Sequence, residues 1–178
     1  MNEKSVSAAE RRELAGAADE RKAGAPPSSE PRQGKTRVPA AEGWFSMDEA
    51  APVLLGERGT ESGSYFWPTA VATSGNPHAF GEERAPAELS RTGRLWSWTT
   101  NHYPPPEPYV APDPFVPYTV CAVELDAERM VVLGGLATGA DAGQLEAGME
   151  MELVLGTLFE DDEHEYVVWQ WAPLRRPS

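Results

Sequence analysis

Only one cysteine, Cys121, and three histidines, His78, His102 and His164, occur among these 178 residues. A lone thiol excludes an internal disulfide and any four-cysteine metal site. It is also what a reducing compartment permits. Lysine is absent after Lys35. Residues 1–42 hold eight Lys/Arg and seven Asp/Glu, a net of +1, whereas residues 43–178 hold seven and 21, a net of −14. A domain of that sign repels phosphate backbones and anionic membranes, whose binders cluster Lys and Arg. A basic or neutral protein partner fits the field better, and so does simple solubility. No run approaches 18 apolar residues, so nothing reads as a membrane span. Met1 to Glu20 mixes charges without the apolar stretch of a signal peptide. The expectation is a cytoplasmic protein. Also missing are HExxH, Gly-x-Ser-x-Gly and a glycine-rich phosphate loop, so an enzyme is not expected.

What is present divides the chain. Residues 1–42 are rich in Ala, Glu, Arg, Ser and Pro and poor in large apolar side chains. Such a segment cannot offset its ordering entropy, which predicts a disordered tail. Ser7-Ala8-Ala9-Glu10 resembles a capping box, and Ala25 to Pro31 reads as a linker. Apolar content starts at Gly43-Trp44-Phe45. Ala50 to Leu55 suits a helical turn or a docking strand. Ser64 to Pro68 reads as a short aromatic strand stopped by its proline, and Thr69 to Arg91 as loop.

From residue 92 the pattern is β. In Gly93 to His102, strict alternation puts Trp96, Trp98, Thr100 and His102 on one face and Leu95, Ser97 and Thr99 on the other. Pro117 to Asp126 places Thr119, Cys121, Val123 and Leu125 on one face; Tyr118, Val120 and Ala122 on the other suggest burial on both sides. Arg129 to Ala137 is a third strand, in which Gly134-Gly135 suggests a bulge or bend. Met149 to Phe159 alternates Met149, Met151, Leu153 and Leu155 inward against Glu150 and Glu152. After a turn over Glu160 to Glu163, His164 to Trp171 forms a fifth strand. Five such strands predict an all-β, closed five-stranded barrel over 92–178.

The order of these motifs resembles the DUF35 family, in which a rubredoxin-like zinc ribbon precedes an OB-fold barrel. Gly93 to Thr99, Pro117-Tyr118 with Val123 to Asp126, and Gly148 to Met151 are similar to its barrel segments. The ribbon half departs from it. Gly59 and Ser62 stand where the first cysteine pair would be, and Ala72 and Gly75 near the second. Residues 43–91 are therefore expected to be a degenerate, metal-free ribbon, with no cofactor. The resemblance implies a non-catalytic accessory subunit of a thiolase-like or other acyl-CoA enzyme, contacting that partner and, through the barrel, acyl-CoA. A stand-alone acyl-CoA-binding barrel is the alternative. Oligonucleotide binding, a frequent use of such barrels, is opposed by the charge.

Five residues are the candidate binding set. Tyr109 and Phe115 lie on Tyr103 to Pro117, where seven prolines stiffen the backbone before any partner arrives. That loop reads either as a binding element or as a strap over the barrel. Trp96 and Trp98 can stack on an adenine or line an acyl channel, or simply fill the core. His102 can donate to a thioester carbonyl or sit at the surface. The acidic run Glu160 to Glu165 lacks the spacing and glycine of a Ca²⁺ loop and reads as a solvated turn. Cys121, mid-strand among apolar neighbours, reads as core.

Overall fold

A computed structural model describes residues 34–69, 76–104, 106 and 114–174. In chain order its strands are β1 (Thr36–Pro39), β2 (Leu55–Gly59), β3 (Tyr65–Phe66), β4 (Arg84–Glu88), β5 (Thr92–Asn101), β6 (Tyr118–Leu125), β7 (Met130–Leu136), β8 (Glu150–Glu160) and β9 (His164–Pro173). Strands β5, β6 and β7 form an antiparallel meander, and β8 pairs back onto the start of β5. Strand β9 runs antiparallel to β8 and parallel to the end of β7, at Gly135↔Gln170 and Leu136↔Trp171. The ring is closed. This is the expected five-stranded OB-fold barrel.

Period-two alternation fills its interior. Leu95, Cys121, Val123, Leu125, Val132, Met151, Leu153, Val167 and Trp171 form one buried cluster. Thr119 is buried on the same face of β6. The other face of β6 is more open than expected. Ala122 is buried there and Val120 half-buried, while Tyr118 stands exposed, because among the described residues no second layer packs over this part of the sheet. The paired glycines also act differently. Pairing of β6 with β7 runs unbroken through Gly134 and Gly135, so no bulge sits there. A Cβ at Gly134 would lie 2.8 Å from Trp171 Cδ1 and 2.9 Å from its Nε1. The glycine makes room for the buried indole. Register breaks instead fall in β5, between Leu95 and Ser97, and in β8, between Thr157 and Phe159.

Before the barrel, β3, β2 and β4 make a small antiparallel sheet. Strand β4 lies inside the stretch read as loop. Its sequence RAPAE lacks alternation, and Pro86 is tolerated because β4 is an edge strand. Leu54 takes the docking role, bridging Phe45. Phe45, Leu54 and Leu89 join the barrel's own buried cluster, so the two parts share one core. Trp44, Trp67 and Trp169 seal the joint, with ring centroids 5.1–6.1 Å apart.

Ordered chain begins earlier than the expected boundary at 42. Strand β1 pairs parallel with His164–Val167 of β9, on the edge that β7 leaves uncovered. Lys35 reaches Glu160 at 2.9 Å, and Arg37 reaches Glu165 at 3.2 Å and also Glu49. The tail's residues 1–33 lie outside the described residues.

Candidate functional site

Strand β5 carries two of the five candidate residues, Trp96 and Trp98, with His102 just past its end, and its bulge decides where the tryptophans go. Leu95 pairs with Val123, but Ser97 pairs with Ala122, so Trp96 is the extra residue. One inserted residue reverses the faces that follow. Trp98 pairs with Cys121 and Thr100 with Thr119, which puts both on the inner face with Leu95. The expected sharing of one face by Trp96 and Trp98, with Leu95 opposite, is therefore corrected. Thr100 and Thr119 exchange a hydroxyl hydrogen bond of 2.8 Å there.

Neither tryptophan is core. Trp96 is 66% exposed and Trp98 36%. Strand β8 reaches β5 only at Thr92–Arg94, extended by Leu95 N–H to the Met149 carbonyl and Gly148 N–H to the Leu95 carbonyl. Beyond that point, Trp96 to Asn101 pairs with β6 alone among the described residues. His102, at the end of this half-strand, is exposed. Phe115 packs edge-on against Tyr118 at 6.4 Å. Tyr109 lies outside the described residues, as does most of its loop.

Three residues the sequence reading passed over join this surface. Tyr118, Val131 and Leu133 are 44–60% exposed. Leu133 pairs with Ala122 across β6 and β7, and Ala122 pairs with Ser97 beside Trp96. The outer face of β5, β6 and β7 thus carries an apolar stripe. Arg94, paired to Asp126 at 3.2 Å, stands with Glu124 at its rim. The stripe was hard to see because Met130 to Leu136 reads as one continuous apolar run.

Elsewhere the chemistry is structural. Asp161 accepts from the backbone N–H of Glu163 at 2.8 Å and of His164 at 2.6 Å, and from the Tyr166 hydroxyl at 3.1 Å. Those donors, the Glu163 amide foremost, hold its carboxyl below the usual range. The acidic run is a turn, and among the described residues no group of His, Cys, Asp and Glu is arranged to hold a metal. Burial pushes the Cys121 thiol up from 9.0 to about 11. At pH 8 its thiolate fraction is then roughly a hundredfold below that of a free thiol. Native protein is expected to resist a thiol reagent at pH 8 and to react fully only in denaturant. Rapid native labelling would contradict this burial.

A zinc ribbon does not fit the residues present. Gly59 and Ser62 offer no thiolate or imidazole, and neither do Ala72 and Gly75, which lie outside the described residues. A shallow groove of about 640 Å³ runs along this sheet, lined among others by Arg58, Thr60, Ser62, Tyr65 and Glu88.

With that geometry in hand, residues 87–156 match the family described as ChsH2, C-terminal OB-fold domain. The OB-fold of that family is the fold of this barrel. That match runs from the end of β4 into β8, so it includes the bulge and the apolar stripe. A solved structure described as an Ltp2-ChsH2(DUF35) aldolase is similar at 22% identity with a TM-score of 0.49, covering 68% of this chain and 84% of that one. No curated protein matches.

Proposed function

We propose that this chain is a non-catalytic accessory subunit that docks on a thiolase-like or other acyl-CoA enzyme through the outer face and free half of β5. The observation that carries this reading is the exposure of Trp96 beside Leu133, Val131 and Tyr118. Aromatic anchors of this kind, ringed by polar groups, are what interface centres are made of. The match of residues 87–156 to the ChsH2 C-terminal OB-fold family supports an assembly role. The chain's own groups support a role without chemistry, since its thiol is sealed in the core and Asp161 is committed to a turn.

Among the described residues, half of β5 has no strand paired on one edge, a template to which a partner strand can add. Trp98, on the inner face at the end of the barrel, is the residue placed to meet an acyl or adenine group carried by the partner. Tyr109, Phe115 and His102 complete the proposed contact set. The acidic domain calls for a neutral or basic partner face, which gives faster association at low salt.

Co-expression with acyl-CoA enzymes encoded beside it tests the assembly. A stable complex of defined stoichiometry is the expected result, and a monodisperse lone chain with every such enzyme would oppose it. Calorimetry with CoA thioesters on the isolated chain addresses the second part. Weak or no binding without the enzyme is expected; tight binding alone would favour a stand-alone carrier.

A further inference from the structure

The turn from Gly59 to Gly63 closes on itself, with the Gly63 N–H donating to the Gly59 carbonyl at 3.1 Å and the Gly59 N–H to that of Ser64 at 2.8 Å. Its next amides point at an anion. Glu82 accepts from the backbone N–H of Ser62 at 2.8 Å and of Glu61 at 3.1 Å, and from the Ser62 hydroxyl at 2.5 Å. Successive amides arranged this way form a concavity for anions, and the same device surrounds metal-bound sulfur in cluster sites. A Cβ on Gly59 would fall within 2.6 Å of the Glu82 carboxylate carbon and both its oxygens. A side chain at residue 59 and this carboxylate thus exclude each other. One residue on, the Glu83 carbonyl accepts from the Thr60 N–H and hydroxyl at 3.0 and 3.1 Å. Arg84 then lies over the Phe66 ring at 3.7 Å, tying the segment to β3.

We infer that the carboxylate of Glu82 is a built-in replacement for a metal centre, holding the ribbon turn from the position a ligand side chain at residue 59 would take. The ribbon's shape is then independent of metal supply and of thiol oxidation, and depends instead on one ionised glutamate. This goes beyond the docking role and does not rest on it. The hydrogen bonds from Ser62, its hydroxyl first, hold the Glu82 carboxyl below the usual range. A folded-state value that is lowered adds stability above the ordinary glutamate range and loses it as pH falls through the lowered value. Arg84 adds to this attraction. Among the described residues, the other charged or titratable groups around the turn are Glu57, Arg58, Glu61, Tyr65, Glu83 and Glu88.

The test uses the full chain. Purified without chelator, it is expected to carry no stoichiometric zinc and to melt at the same temperature with or without EDTA. Glu82→Gln and, independently, Gly59→Ala should each speed hydrogen exchange at the Glu61 and Ser62 amides by about tenfold or more, since charge-assisted bonds are the strong ones. Barrel amides such as Val123 should not change. Wild-type protein gives a second readout, because both turn amides should shift in NMR spectra as Glu82 titrates below the ordinary range. One bound zinc per chain, a chelator-sensitive melt, unchanged exchange in both variants, or turn amides blind to acid would each overturn the inference.

Discussion

Trp171→Ala is expected to lower the free energy of unfolding by about 3–5 kcal/mol, a large share of a typical domain's total. The indole is fully buried where the barrel closes. Its backbone pairs with Leu153 of β8 on one side and Leu136 of β7 on the other, and its carbonyl accepts from Ala137 N–H at 2.9 Å. Removing the ring empties the buried one of the two positions, Gln170 and Trp171, that pair with both β7 and β8. The indole N–H has no hydrogen-bond partner among the described residues, so Trp171→Phe should cost less, because it also removes an orphaned donor. Gly134→Val probes the same contact from the other side, and overpacking against the ring should cost about 1–3 kcal/mol. Urea denaturation measures all three. A loss under about 1 kcal/mol for the alanine variant would show that the seam does not close on this residue.

Trp96→Asp should act in the opposite way, leaving stability within about 0.5 kcal/mol while weakening association with the enzyme partner roughly thirtyfold or more. Trp96 is mostly exposed among the described residues, so its loss opens little cavity. A carboxylate in its place would have to be stripped of water at the centre of an apolar contact. Leu133→Asp, two strands away on the same stripe, should behave alike. Phe159→Asp serves as the control, since Phe159 stacks on Tyr166 at 4.3 Å in the β8–β9 hairpin, away from β5. Titration calorimetry and thermal melts read both effects. Equal binding by wild type and Trp96→Asp would move the docking surface elsewhere.

The barrel was legible because its inner faces obey simple alternation. Thr119, Cys121, Val123 and Leu125 on β6 and Met151 and Leu153 on β8 are buried as that pattern requires. Trp96 shows where alternation fails. A bulge adds one residue to one strand, and no feature of GRLWSWTTNH marks it, so the faces of Ser97 to Thr100 are reversed relative to Leu95 and Trp96. Gly134 shows a second limit. A glycine in a strand marks either a bulge or a close approach, and only the position of Trp171 selects the latter. Strands β1 and β4 were hidden because each is held by pairing and by charged side chains, with little apolar content of its own. Glu82 was invisible for a related reason. Its carboxylate meets the amides of the turn from 20 residues beyond Ser62, a contact that no local pattern marks.

Hydrogen exchange on the purified complex with an acyl-CoA enzyme, compared with the free chain, puts the docking claim to its most direct test. Slowed exchange concentrated in 96–101 and 118–133 is the result this account requires. Protection confined to the ribbon or to the β8–β9 hairpin, with β5 still exchanging as in the free chain, would contradict it.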